Sequence, residues 1–142
     1  MNTENEIYYY TEFTTDKRIL GEIETILKKL HKHIPLDKGK LHDILVATTE
    51  AVINAIQHGH KFDPTKKVTL RVSASKTKIQ VVVQDEGGGF NPDVIEDPRK
   101  PENLLKERGR GIFLIRQLSD SVKITTSSKG TIVEMNFKIK NE

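Results

Sequence analysis

The apolar positions of this chain follow two different periods, and the places where the period changes mark its elements. Ile7 to Phe13 is rich in tyrosine and threonine and predicts a first strand. Thr14, Thr15 and Asp16 offer N-caps for a helix running to about Leu30. Ile19, Leu20, Ile23, Ile26, Leu27 and Leu30 lie on one stripe of it. HKHIPLDKGK is a break punctuated by Pro35 and Gly39. A second helix is predicted from about Lys40 to His58, with Leu41, Ile44, Leu45, Ala51, Val52, Ala55 and Ile56 in one broad sector. Two strands follow, VTLRVSA (Val68 to Ala74) and KIQVVVQ (Lys78 to Gln84), joined by a short polar turn. A long irregular stretch follows, DEGGGFNPDVIEDPRKPENLLKERGRG, holding three of the five prolines. A short apolar helix begins at Gly111, and the strands SVKITTS and TIVEMNFKI flank the turn Ser128-Lys129-Gly130.

The order β-α-α-β-β-loop-α-β-β implies an α/β (α+β) two-layer sandwich, with a mixed, mostly antiparallel sheet covered on one face by helices. No repeat and no linker interrupts it, so residues 1–142 are expected to form a single domain. The loop is the unusual element, because so long a structureless stretch in a small domain is most often a functional lid or a disordered segment.

Composition narrows the function classes. Charged residues make up 30% of the chain and hydrophobic ones 35%, as in a folded globular protein. The net charge of +3 comes from 23 basic and 20 acidic residues that are well mixed, so no basic stripe supports direct nucleic-acid binding. There is no cysteine, which removes disulfides, thiolate metal sites and cysteine nucleophiles. The N-terminus lacks the pattern of a signal peptide, and no apolar run approaches the roughly 20 residues of a membrane helix. A cytoplasmic protein that does not engage a membrane is expected.

Four short segments carry candidate chemistry. On the second helix, Glu50 and Asn54 stand one turn apart on the face opposite the apolar sector, with Asp43, Ala47 and Gln57. A solvated face would look the same. Thr48 is the one polar residue within the apolar sector, where its hydroxyl can bond the backbone a turn earlier. Asp85-Glu86-Gly87-Gly88-Gly89-Phe90 directly follows a strand; its glycines permit close approach of a ligand to the backbone, and Asp85 can accept from an exocyclic amine. A tight turn with a surface acid is the plainer reading. Arg108-Gly109-Arg110-Gly111 precedes a helix, where free amides, the positive end of the helix dipole and forked guanidinium donors suit phosphate. Gly130-Thr131 opens the last strand and by itself is only a hairpin turn.

In this order and spacing the segments resemble the N box and the three glycine boxes of the GHKL ATPase superfamily, whose ATP-binding domain has the Bergerat fold. E-A-V-I-N-A-I-Q-H-G at 50–59, D-E-G-G-G-F at 85–90, R-G-R-G-I-F-L-I at 108–115 and G-T at 130–131 carry the resemblance. Within the superfamily the chain is similar to the anti-sigma factor serine/threonine kinases of bacterial partner-switching systems. The resemblance implies the following roles. Glu50 would be the general base on the attacking hydroxyl. Asn54 would bind Mg²⁺ bridging the phosphates of ATP. Asp85 would accept from the adenine amine, with Gly87 and Gly89 leaving room for base and sugar and Thr131 supporting the adenine side. Arg108, Arg110 and the amides of Gly109 and Gly111 would meet the phosphates, and Pro92, Pro98 and Pro101 would lie in the ATP lid. It also implies a STAS-type anti-anti-sigma protein as substrate, a sigma factor as a second partner, and a homodimer.

The competing reading is a non-catalytic, ATP-responsive protein-binding module, against which Glu50 argues because a binder needs no base there. ATP hydrolysis as an end in itself lacks a further domain to use it. His42, in L-H-D-I, superficially resembles a phosphoacceptor but lies on the N-box helix itself. His31, His33, His58 and His60 have neither cysteines nor a spaced carboxylate set to complete a zinc site.

Overall fold

The computed structural model describes residues 7–13, 18–59, 67–86 and 111–139. Strand β1 (Ile7–Phe13) leads to helices α1 (Ile19–His33) and α2 (Lys38–Asn54). Strands β2 (Val68–Ala74) and β3 (Lys78–Gln84) follow, then α3 over residues 111–118, and finally β4 (Ser121–Ser127) and β5 (Gly130–Lys138). The expected caps Thr14, Thr15 and Asp16, and the long segment from Gly87 to Arg110, lie outside the described residues.

The five strands form one sheet in the order β1-β2-β3-β5-β4, and every described pairing is antiparallel. Alternation along the strands separates the two faces. Val68, Leu70, Val72 and Ala74 of β2, Ile79, Val81 and Val83 of β3, and Val133, Met135 and Phe137 of β5 are buried against the helices. α1 supplies Ile23, Leu27 and Leu30 to the same core, α2 supplies Ile44, Ala51 and Val52, and α3 supplies Ile115. This is the two-layer arrangement the element order predicts. Among the described residues no helix is long and apolar enough to cross a membrane.

Helix α2 differs from its expectation at both ends. It starts two residues earlier than Lys40, because the Asp37 side chain accepts from the Lys40 amide at 2.7 Å and caps it. It ends as an α-helix at Asn54 and continues as a single π-helical turn, Ala55–Gly59. Such a wider turn is a frequent mark of functional sites. It packs against β5 with Ala55 and Ile56 buried.

The polar face of α2 is also less wet than its spacing implies. Ala47 is fully buried, although it lies on the side of Glu50 and Asn54 rather than in the apolar sector. That side of the helix is covered in part: Asp43, Glu50 and Asn54 are half-buried, and Gln57 is exposed. Thr48 is fully buried as well, and its hydroxyl has no hydrogen-bond partner among the described residues, so the expected bond to the preceding turn is not made.

Candidate nucleotide-binding site

Two clusters of sequence-predicted residues are brought together by the fold. The first sits at the end of the sheet. β3 and β5 are neighbours in register, with Val83 opposite Val133 and Gln84 opposite Ile132. The next pair in that ladder is Asp85 with Thr131, and the amide of Asp85 donates to the carbonyl of Thr131 at 2.9 Å. Alternation from Val83 turns Asp85 toward the helix layer, where it is buried. A buried carboxylate needs donors. Thr131 provides one, since its amide donates to Asp85 Oδ1 at 3.2 Å.

Gly130 makes this approach possible. Its φ of +143° lies in a region that residues with a side chain rarely adopt. A β-carbon there would overlap the carbonyl oxygen of Asp85 and stand 3.3 Å from Asp85 Oδ1. The G-T pair is therefore more than a hairpin opening: glycine admits the backbone of Asp85, and threonine orients its carboxylate. The Thr131 hydroxyl is buried with no partner among the described residues, so this pocket retains an unused hydrogen-bonding group.

The second cluster lies between α2 and the start of α3. Glu50 and Asn54 are half-buried. A β-carbon placed on Gly111 would stand 2.7 Å from Asn54 Nδ2 and 3.0 Å from Glu50 Oε1. Both side chains thus converge on the first residue of α3, as their one-turn spacing predicts. Asn54 Nδ2 is buried without a hydrogen-bond partner among the described residues. The π turn that follows Asn54 and packs on β5 connects this cluster to the strand that carries Thr131. Gly87, Gly89, Arg108, Gly109 and Arg110 lie outside the described residues.

Sequence reasoning passed over the role of Glu86. Its Oε1 accepts from the amide of Lys67 at 2.9 Å, which ties the residue after Asp85 to the start of β2. Lys67 also reaches Glu12 Oε1 at 3.3 Å, on the edge strand. Among the described residues, the groups with shifted acidity lie there. The Tyr10 hydroxyl donates to Glu12 at 2.9 Å, and this bond, helped by Lys67, holds the Glu12 carboxyl below its ordinary range. The same bond, and then desolvation, raises Tyr10.

The arrangement suits a polar ligand that presents an amine donor. It comprises a buried, oriented carboxylate, an unused hydroxyl beside it, and a carboxylate and a carboxamide converging at a helix start. Comparison with known proteins points the same way. Residues 13–137 match the family described as the histidine kinase-like ATPase domain. The serine-protein kinase RsbW of Bacillus subtilis (strain 168) is 26% identical over 139 residues, covering 94% of this chain and 87% of that protein. The anti-sigma F factor of Clostridium perfringens (strain SM101 / Type A) is 34% identical over 105 residues, covering 70% of this chain and 74% of that one. Among solved structures, the RsbU and RsbW domains of a Mycobacterium tuberculosis protein superpose with a TM-score of 0.69 at 14% identity, over 96% of this chain and 33% of that one.

Proposed function

The chain belongs to the histidine kinase-like ATPase domain family, and from that premise we propose that residues 1–142 form a single kinase domain. The protein is an ATP-dependent serine/threonine kinase and anti-sigma factor of a bacterial partner-switching system. Its relatives named as serine-protein kinases and anti-sigma factors support this reading across most of the chain. The observation that carries the catalytic part is the convergence of Glu50 and Asn54 at Gly111. A module that only bound nucleotide would have no use for a carboxylate beside the metal-binding amide.

In this reading Asp85 and Thr131 select the base. The carboxylate, oriented by the Thr131 amide, accepts from the adenine amine, and the Thr131 hydroxyl offers a further bond on that side. Asn54 presents its amide oxygen as a ligand for Mg²⁺, which when bound would neutralise charge on the phosphates. Arg108, Arg110 and the amides of Gly109 and Gly111 would meet the phosphates. Glu50 takes the proton from the acceptor hydroxyl as that oxygen bonds to the γ-phosphorus. The bond to the β-γ bridging oxygen breaks, and ADP leaves. The transition state of phosphoryl transfer asks mainly for positioning and charge neutralisation, so one carboxylate and one carboxamide on the same helical face meet most of the demand on α2.

The protein substrate would be a STAS-type anti-anti-sigma protein phosphorylated on serine or threonine, with a sigma factor bound in the alternative complex and a homodimer as the working unit. The test is incubation of the chain with labelled ATP, Mg²⁺ and a STAS-domain protein encoded beside it. Phosphoserine or phosphothreonine on that protein is the expected product. ATP binding with no transfer to any such acceptor would instead favour the binding-module reading.

A further inference from the structure

Gly111 is a buried glycine at the first position of α3 whose surroundings explain its identity in an unusual way. A β-carbon there would meet Asn54 Nδ2 at 2.7 Å, Glu50 Oε1 at 3.0 Å and Asn54 Cγ at 3.4 Å. These three contacts belong to two side chains, and both are the groups assigned to chemistry. Gly130 is different, because a methyl group there would collide with backbone. At Gly111 a methyl group can be accommodated by moving the ends of Asn54 and Glu50. The fold would survive such a change, and the site would absorb it.

The state of the Asn54 amide adds a second observation. Nδ2 is buried and has no hydrogen-bond partner among the described residues, although a buried amide donor is costly to leave unpaired. Among the described residues no hydrogen bond holds the NH₂ end of this side chain, which stands against the start of α3. With Nδ2 turned to Gly111, the amide oxygen is the end left for a ligand.

We propose that Gly111 is a positioning residue of the transfer site: having no side chain, it lets the start of α3 seat directly on Asn54 and Glu50, and that contact holds both groups in their working orientation. This inference rests on the assignment of Asn54 as the metal ligand and Glu50 as the base. It adds to the amide contact with phosphate, which any residue at position 111 could make. Outer contacts that orient a metal ligand typically change affinity by roughly 10–100-fold when removed.

The decisive variant is Gly111→Ala, which keeps the amide and adds only the methyl group. Gly21→Ala on α1 is the control, because a β-carbon at Gly21 has nothing within 4 Å. Calorimetry would compare ATP affinity in EDTA with affinity at saturating Mg²⁺. In Gly111→Ala the unfolding temperature should match that of the parent chain, while the gain in affinity on going from EDTA to saturating Mg²⁺ falls by roughly 10–100-fold. In nucleotide-free protein the Asn54 side-chain NH₂ resonance, assigned through Asn54→Ala, should move in Gly111→Ala and stay in place in Gly21→Ala. A parent-like Mg²⁺ gain and an unmoved NH₂ resonance would overturn the positioning role while leaving the kinase reading intact. A Mg²⁺ gain that persists in Asn54→Ala would overturn the metal assignment and this inference with it.

Discussion

Asp85 and Thr131 hold one another through reciprocal bonds: the Asp85 amide donates to the Thr131 carbonyl at 2.9 Å, and the Thr131 amide donates to Asp85 Oδ1 at 3.2 Å. The backbone bond extends the β3–β5 ladder by one pair, and the side-chain bond orients a buried carboxylate. In the proposed assignment, sheet pairing and base recognition share these two residues. Asp85→Asn can keep the bond from Thr131 through its amide oxygen while presenting NH₂ toward the adenine amine. ATP affinity should fall by about 1.5–3 kcal/mol, the worth of a hydrogen bond to a charged group, with little change in unfolding temperature. Calorimetry showing parent-like affinity would remove Asp85 from the site.

Gly130→Ala should be the more damaging change to the fold. It places a side chain at φ +143° and overlaps the Asp85 carbonyl. A residue forced into so sparsely populated a backbone region costs about 1–3 kcal/mol, to which the displacement of Asp85 adds. Thermal denaturation should show a clear loss of stability together with weaker ATP binding. Full stability with full affinity would mean that the β4–β5 turn relaxes without moving Asp85.

Asn54→Ala removes a buried donor that has no partner among the described residues, so it should leave stability unchanged or slightly raised while weakening ATP binding in Mg²⁺. Opposite signs for stability and function are what a residue kept for its ligand should give. Thermal denaturation and calorimetry on the same sample can check both. A marked loss of stability with unaltered nucleotide binding would assign Asn54 a structural role instead.

Glu50→Gln retains shape and removes basicity. ATP binding should persist and phosphoryl transfer should drop roughly 10²–10⁴-fold. Transfer at the normal rate to a verified acceptor would show that another group takes the proton.

The edge strand supplies a pH test. Folding depresses Glu12, so its contribution is present above the ordinary carboxylate pKa and is lost as pH falls through the lower folded value. The group is exposed, and solvent screening keeps such contributions small. Between neutral pH and about pH 5, Glu12→Gln should therefore differ from the parent by a small constant offset, and the two stability curves should draw together only below the ordinary carboxylate range of about 4.5. Convergence well above that range would contradict the assignment.

Much of this molecule was legible from periodicity and residue type alone. Alternation in 68–84 and 131–138 defines strands because one face is buried, and the stripe on α2 defines its core side. Glu50 and Asn54 are neighbours because a helix makes residues four apart neighbours, whatever surrounds them. The order of the four boxes likewise belongs to the chain. Tertiary structure decided what no local rule contains. Asp85 and Thr131 lie 46 positions apart, and only the order β1-β2-β3-β5-β4 makes their strands adjacent. Ala47 reads as part of a wet face until the fold covers it, because burial depends on what packs above a helix and not on the helix itself. The boxes single out Gly111 and Gly130, but the sequence does not say what each must admit. Each is glycine because of an approach from elsewhere in the chain, by two side chains in one case and by a backbone carbonyl in the other.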